Sequence, residues 1–307
     1  MADSGEAPRS PNYGGRLGYG IFQWIIRLLG VTPAYLLLLL VVPYYALVRA
    51  SARRCAAPYL RRRFPEYGAC RRFLAAIEHF YRFGQALIDQ GAMGILGPEA
   101  FRIEFPGEKG LHDLAQKGKG LVLLTSHVGN WQTAMADMGR LGVPVHFQLR
   151  LEEHTQGRHF FDLARRQGEF RVIPPNGFLG GMVEMTNALR AGECVAIMGD
   201  RSWGARTARA DFLGAPAAFP ITPYRLAVST GADLVVLLTA RTGKLAYTLQ
   251  SVPITEGRDW SAIPREEAIA ELLDRYVQCL EKHVDAHPFM WFNFFDFWAE
   301  DKGTSAP

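Results

Sequence analysis

The sequence predicts an α/β fold: a layered domain with a mainly parallel central sheet flanked by helices, plus an N-terminal membrane-anchoring helix. Two observations carry this. From residue 121 onward, short apolar runs alternate with stretches of helical periodicity, the pattern of strands joined by crossover helices. Ahead of them lies an uncharged apolar segment, 31–48, which with 20–30 is long enough to cross a bilayer core. The 307 residues suffice for one large domain with a sizeable core.

Taken in order, residues 1–19 are rich in Gly, Pro and Ser and read as a flexible N-terminus. Residues 20–48 read as a transmembrane or interfacial anchor. Pro33 and Pro43 are tolerated in such helices, and Tyr35, Tyr44 and Tyr45 suit its interfaces. Arg49, Arg53, Arg54, Arg61, Arg62 and Arg63 follow directly. Their excess places the large domain, 49–301, on the cytoplasmic side of the membrane, with the arginines against anionic headgroups. Residues 302–307 read as a tail.

Within the large domain, 73–95 has helical spacing. Strands are expected at 121–125, 143–149, 170–173, 194–198, 234–239 and 245–252. Helices are expected at 130–141, 158–167, 179–190, 221–230 and 265–283. Cys55, Cys70, Cys194 and Cys279 are scattered without CxxC spacing, so neither a zinc site nor a redox dithiol is expected. The glycines and lysines of 107–110 and 118–120 lack P-loop spacing. A net charge of +4 and the absence of any nucleic-acid motif argue against a nucleic-acid partner.

In parallel sheets, sites gather past the carboxyl ends of strands. His127 and the pair Asp200-Arg201 both stand there. A histidine so placed titrates near neutral pH and can act as a general base on a hydroxyl or amine that attacks a carbonyl. Gly129 lets the turn form, and the helix start near Asn130 is suited to developing negative charge.

Four stretches occur in order behind the anchor: "HVGNWQTA" (127–134), "MGDRSW" (198–203), "DFLGAPAAFPITPYRLAVSTGADLV" (211–235) and "HPFMWFNFFDFW" (287–298). Together they resemble the lysophospholipid acyltransferase superfamily, and most nearly its bacterial lipid A biosynthesis branch, the late lauroyl or myristoyl transferases. The resemblance implies a membrane-associated acyltransferase of lipid biosynthesis, with 49–301 as its acyltransferase domain. An acyl carrier protein or CoA thioester would be the donor and a lipid the acceptor, with no cofactor and no metal. His127 matches the motif histidine and would be the base. Gln132 stands where the motif has Asp or Glu, and would orient His127 poorly or differently. Asn130, Asp200, Arg201 and Arg150 would bind substrate, with Arg201 holding an anionic group and Asp200 ordering the site. Phe212, Leu213, Gly214 and Pro220 would shape the cleft, and Trp291 and Trp298 match the aromatic C-terminal motif.

The uncharged Gln132 leaves three readings: a weaker dyad, another acid in its place (Glu193, Asp137 or Asp200), or a non-catalytic lipid-binding protein. An acyltransferase with a different acceptor, such as an amino-acid lipid, a glycerolipid or a polyene, also follows from this departure. Arg150, Arg158, Arg165, Arg166 and Arg171 offer a basic surface for an acidic carrier protein.

Overall fold

The structure, a computed structural model, describes residues 24–132, 138, 141–149, 170–175, 178–201 and 206–299. The expected flexible N-terminus, the 158–167 helix and most of the 130–141 helix lie outside these residues, as do Arg150, Arg158, Arg165, Arg166 and Asp137.

Three helices come first: α1 (Val31–Val48), α2 (Ala50–Arg63) and α3 (Ala69–Leu96). Then follow β1 (Arg102–Glu104), α4 (Glu108–Ala115), β2 (Leu121–Thr125), β3 (Val145–Gln148) and β4 (Phe170–Ile173). After these come α5 (Met182–Arg190), β5 (Cys194–Met198), β6 (Thr207–Phe212), β7 (Ala215–Pro220) and α6 (Thr222–Thr230). The elements close with β8 (Asp233–Gly243), β9 (Ala246–Pro253) and α7 (Arg265–Ala286).

Seven strands form one sheet in the order β1-β9-β8-β2-β5-β3-β4. β8, β2, β5, β3 and β4 run parallel, and β9 turns antiparallel beside β8. The layered, mainly parallel sheet is the one the alternation of strands and helices predicts. Its central strands, such as Leu121-Val122-Leu123-Leu124, are buried on both faces, as strands covered by helices must be. Even-numbered residues of β2 enter a core shared with α1, α3, α6 and α7, and odd-numbered ones enter a second core on the opposite face.

Four features are absent from the sequence reading: α2, β1, α4 and the β6–β7 hairpin. The hairpin pairs Phe212 with Ala215 across Leu213-Gly214, both at positive φ (50° and 73°). That is the geometry of a two-residue hairpin turn, but Leu stands where Asn or Asp would advertise it. β6 and β7 form their own two-stranded sheet. Trp298 joins this hairpin to the C-terminal segment by donating its indole N–H to Phe212 O at 2.9 Å.

The apolar segment is a helix, but it is docked along one side. Val31, Ala34, Tyr35, Leu38, Val42 and Ala46 are buried, a spacing that makes one face. Leu36, Leu39, Leu40, Tyr44, Leu47 and Val48 stay exposed. Trp24, Leu28 and Leu29, on the short helical run before Gly30, extend this uncovered surface. Tyr35 pins the helix by donating to Asp89 of α3, and Arg53 caps its end by donating to Ala46 O and Leu47 O. The arginine block therefore divides. Arg53, Arg62 (over the Trp298 ring at 4.3 Å) and Arg63 (3.4 Å from Asp285) are tied to the domain, while Arg49, Arg54 and Arg61 are exposed.

Candidate active site

β2 and β5 are parallel neighbours in the centre of the sheet, with Thr125 opposite Met198. His127 and Asp200 each lie two residues beyond that aligned pair, so the register alone sets them side by side. The contact is close: His127 Nδ1 lies 2.7 Å from Asp200 Oδ1. The backbone N–H of His127 donates to Asp200 Oδ2 at 2.8 Å. One carboxylate thus grips both the ring and the main chain of the same histidine.

The carboxylate is fully buried, whereas the histidine side chain keeps 20% of its exposure. With Nδ1–H committed to Asp200, the remaining nitrogen, Nε2, is the one with a lone pair to offer. Burial acts to raise the Asp200 carboxyl. The His127 charge, the His127 hydrogen bonds and the nearby Arg201 guanidinium outweigh it and hold the group below the usual carboxylate range. The indole N–H of Trp291 also donates to Asp200 Oδ2, at 2.9 Å.

The loop carrying His127 is held by the C-terminal segment. Gly129 N–H donates to Met290 O at 2.8 Å and Phe292 N–H to His127 O at 2.7 Å. Gly129 has φ 56°, and a Cβ there would meet Thr239 O at 2.3 Å, so only glycine fits this approach. Thr239, on β8, accepts from Asn130 N–H at 3.0 Å and donates to Val128 O at 2.8 Å. Behind the loop, the Ser126 and Tyr276 hydroxyls are 2.7 Å apart.

These contacts revise several expected roles. Gln132 is not the partner of His127 Nδ1. It is buried at the start of the following helix, and His127 Nδ1 already belongs to Asp200. Asp200 cannot touch an acceptor, because no part of it reaches the surface. Asn130 is 2% exposed and its backbone N–H is spent on Thr239, so the turn does not offer that donor to an oxyanion. Arg201 is partly exposed but braced, donating to Asn293 Oδ1 at 2.8 Å and to Phe292 O at 3.0 Å. Glu193 precedes β5, at the opposite end of the sheet, and lies 2.6 Å from His146.

On the odd-numbered face of β2, an apolar cavity opens beside Thr125 and Met198. Leu123, Trp131, Phe147, Leu149 and Leu237 line it. Among the described residues, no three His, Cys, Asp or Glu side chains converge as metal ligands would.

The sequence names Asp200 as a partner of His127 only as one of three candidate acids, and it misses Trp291 as a donor to Asp200 altogether. A signal for the first exists: both groups stand at the same offset past adjacent apolar strands. None marks the second, because Trp291 reaches Asp200 only through long-range packing.

A partly exposed histidine backed by a buried carboxylate, past the carboxyl ends of a parallel sheet, is an arrangement suited to general-base group transfer in an α/β protein. The particular family follows from comparison. The profile of the bacterial lipid A biosynthesis acyltransferases matches residues 6–299, and the chain belongs to that family. It is also similar to the phosphatidylinositol mannoside acyltransferase of Mycobacterium tuberculosis, in strains ATCC 25618 / H37Rv and CDC 1551 / Oshkosh. Identity is 29% over 190 residues, 61% of this chain and 57% of the relative. The alignment therefore spans little more than half the length of these relatives.

Proposed function

We propose that the protein is a membrane-associated acyltransferase that moves a fatty acyl chain from a thioester, on an acyl carrier protein or CoA, to a hydroxyl of a glycolipid acceptor. The observation that carries this reading is the His127–Asp200 pair, with its ring nitrogens divided between an internal carboxylate and the open side of the sheet. His127 Nε2 takes the proton of the acceptor hydroxyl as its oxygen attacks the thioester carbonyl. The tetrahedral intermediate collapses, the C–S bond breaks, and the imidazolium returns the proton to the departing thiolate. A C–O bond replaces the C–S bond and no redox partner is needed. Asp200 stays ionised throughout and stabilises the imidazolium.

The family's lipid A acceptors and the relatives' phosphatidylinositol mannoside, as their names print them, are both membrane glycolipids, which favours that acceptor class. The uncovered face of α1 and the exposed Arg49, Arg54 and Arg61 suit an anionic membrane surface. The packing of the opposite face of α1 on the domain favours a helix that lies in the interface over one that crosses the bilayer. The arginine excess after it favours the cytoplasmic side of the inner membrane. The non-catalytic reading rested on Gln132, and an acid in contact with His127 removes its motive.

The test uses full-length protein in its membranes, with labelled acyl chains on acyl carrier protein and, separately, on CoA. Label should enter the lipid extract with wild type and not with His127→Ala, and the labelled lipid identifies the acceptor class. Equal labelling by both proteins, or by neither with either donor, would reject the assignment.

A further inference from the structure

The Asp200 carboxylate has more work than His127 alone can give it. Oδ1 accepts from His127 Nδ1 at 2.7 Å, while Oδ2 accepts from His127 N–H at 2.8 Å and from Trp291 Nε1–H at 2.9 Å. A fourth donor, Asn293 Nδ2, stands 3.4 Å from Oδ2. Of these, the indole N–H is the close side-chain donor on Oδ2. It fixes the carboxylate plane so that Oδ1 meets the imidazole.

Trp291 is itself immobilised. It is fully buried, and its carbonyl accepts from His79 Nε2 at 2.9 Å. Its ring sits edge-on to Tyr59 at 5.1 Å and to Phe212 at 5.1 Å. Its main chain bridges to Val128, inside the catalytic loop. The residue is thus built into both sides of the dyad: backbone to the histidine's loop, side chain to the acid.

We infer that Trp291 is a positioning residue for this reaction, its indole N–H aiming the Asp200 carboxylate at His127. The inference rests on the His127–Asp200 reading of the site. Loss of that N–H leaves Oδ2 with the His127 amide and the long Asn293 contact. The carboxylate becomes more basic and less well aimed. A more basic carboxylate holds the imidazolium more tightly, so the acid limb of the rate profile moves to higher pH. Among the described residues, the other charged or titratable groups facing the pair are Arg201, from the segment after β5, and Tyr276, from α7. His79, from α3, faces Trp291 and is pushed down to about 4 by burial, so it stays a neutral donor in the working range.

The experiment compares Trp291→Phe with Trp298→Phe. Trp298 belongs to the same aromatic cluster, but its N–H goes to a backbone carbonyl. It therefore reports the packing cost alone. For Trp291→Phe, kcat should fall about 10- to 100-fold, from one charge-assisted hydrogen bond lost, with KM within about twofold. The acid limb should move up by about half a pH unit or more. Trp298→Phe should keep the wild-type limb. The His127 ring, followed by NMR titration in the same proteins, should show the same upward movement without reference to turnover.

Should Trp291→Phe fail to fold, the benzothiophene analogue of tryptophan placed at 291 keeps the ring shape and deletes only the N–H. Identical pH limbs and His127 titrations in wild type and the N–H-deleted protein would overturn the inference. The site reading fails separately: a fully active His127→Ala protein would refute the dyad whatever Trp291 does.

Discussion

Asp200 and Asp89 are both wholly buried, and each is ringed by hydrogen-bond donors, yet their surroundings differ in kind. Asp89 accepts from Tyr35 of α1, from Tyr247 of β9 and from Arg241 Nε at 2.9 Å. Burial pushes its carboxyl up, against the pull of Arg241 and the two phenols. Asp200 is held low, and its main partner is a histidine that keeps 20% side-chain exposure. A carboxylate surrounded by a permanent cation and two phenols can only hold elements together. A carboxylate whose partner is an imidazole that reaches solvent can support chemistry. Burial and hydrogen bonding are common to both; what separates fastening from catalysis is whether the partner can give and take a proton at the surface.

Breaking the contrast at its catalytic end gives the largest effect. His127→Ala should lower acyl transfer by at least about 10³-fold in steady-state turnover, since it removes the proposed base. It should also cost about 1–3 kcal/mol of stability, because the buried Asp200 carboxylate loses its Oδ1 partner.

The structural end comes next. Asp89→Asn leaves Arg241 without its buried counter-charge and should cost about 3–5 kcal/mol in denaturant unfolding. Replacing Tyr35 by Phe removes one neutral donor and should cost about 1 kcal/mol or slightly more. A wild-type unfolding curve for Asp89→Asn would contradict the fastening role.

The third effect is a dependence of stability on pH. His79 and His283 are both buried and both lowered from 6.5 to about 4 by desolvation, with His287 adding to the effect on His283. The unfolded chain takes protons on these rings below pH 6.5, and the folded chain only near pH 4. Stability is therefore full above the unfolded value and drains away as pH falls through this window, by up to about 3 kcal/mol for each ring. Urea melts at pH 7 and pH 4.5 should show the loss, and His283→Gln should make it shallower. Equal slopes in both proteins would remove His283 from the account.

The smallest effect sharpens the comparison most. Gln132→Glu restores the acid of the family motif, yet it should leave turnover at or below the wild-type rate, because Asp200 already occupies His127 Nδ1. The new buried carboxyl should instead cost about 1–3 kcal/mol of stability. A tenfold gain in turnover would show that position 132 governs the base after all.

Much of the fold is legible in the chain because its strands are short, apolar and spaced by helices. His127, Asp200 and Arg201 stand out because strand ends advertise them. Local spacing misleads at Gln132: five residues after His127 is near in sequence, but the acid that matters is 73 residues away and arrives through strand register. The β6–β7 hairpin hides because Leu213-Gly214 lacks the usual turn residues. Trp291 looks like core, and it is core; that its N–H also meets Asp200 depends on packing against Tyr59, His79 and Phe212 that no periodicity encodes.

The most direct measurement of the central claim is the acyl-transfer rate of Asp200→Asn beside wild type, in membranes, with a melting curve for each. The substitution keeps the shape of the side chain and removes its charge. The dyad predicts a fall of about 10³- to 10⁴-fold, as losing the orienting acid costs in serine proteases, with a protein that still melts cooperatively. Transfer within tenfold of wild type by the folded variant would contradict the account and return the search for the orienting group to position 132.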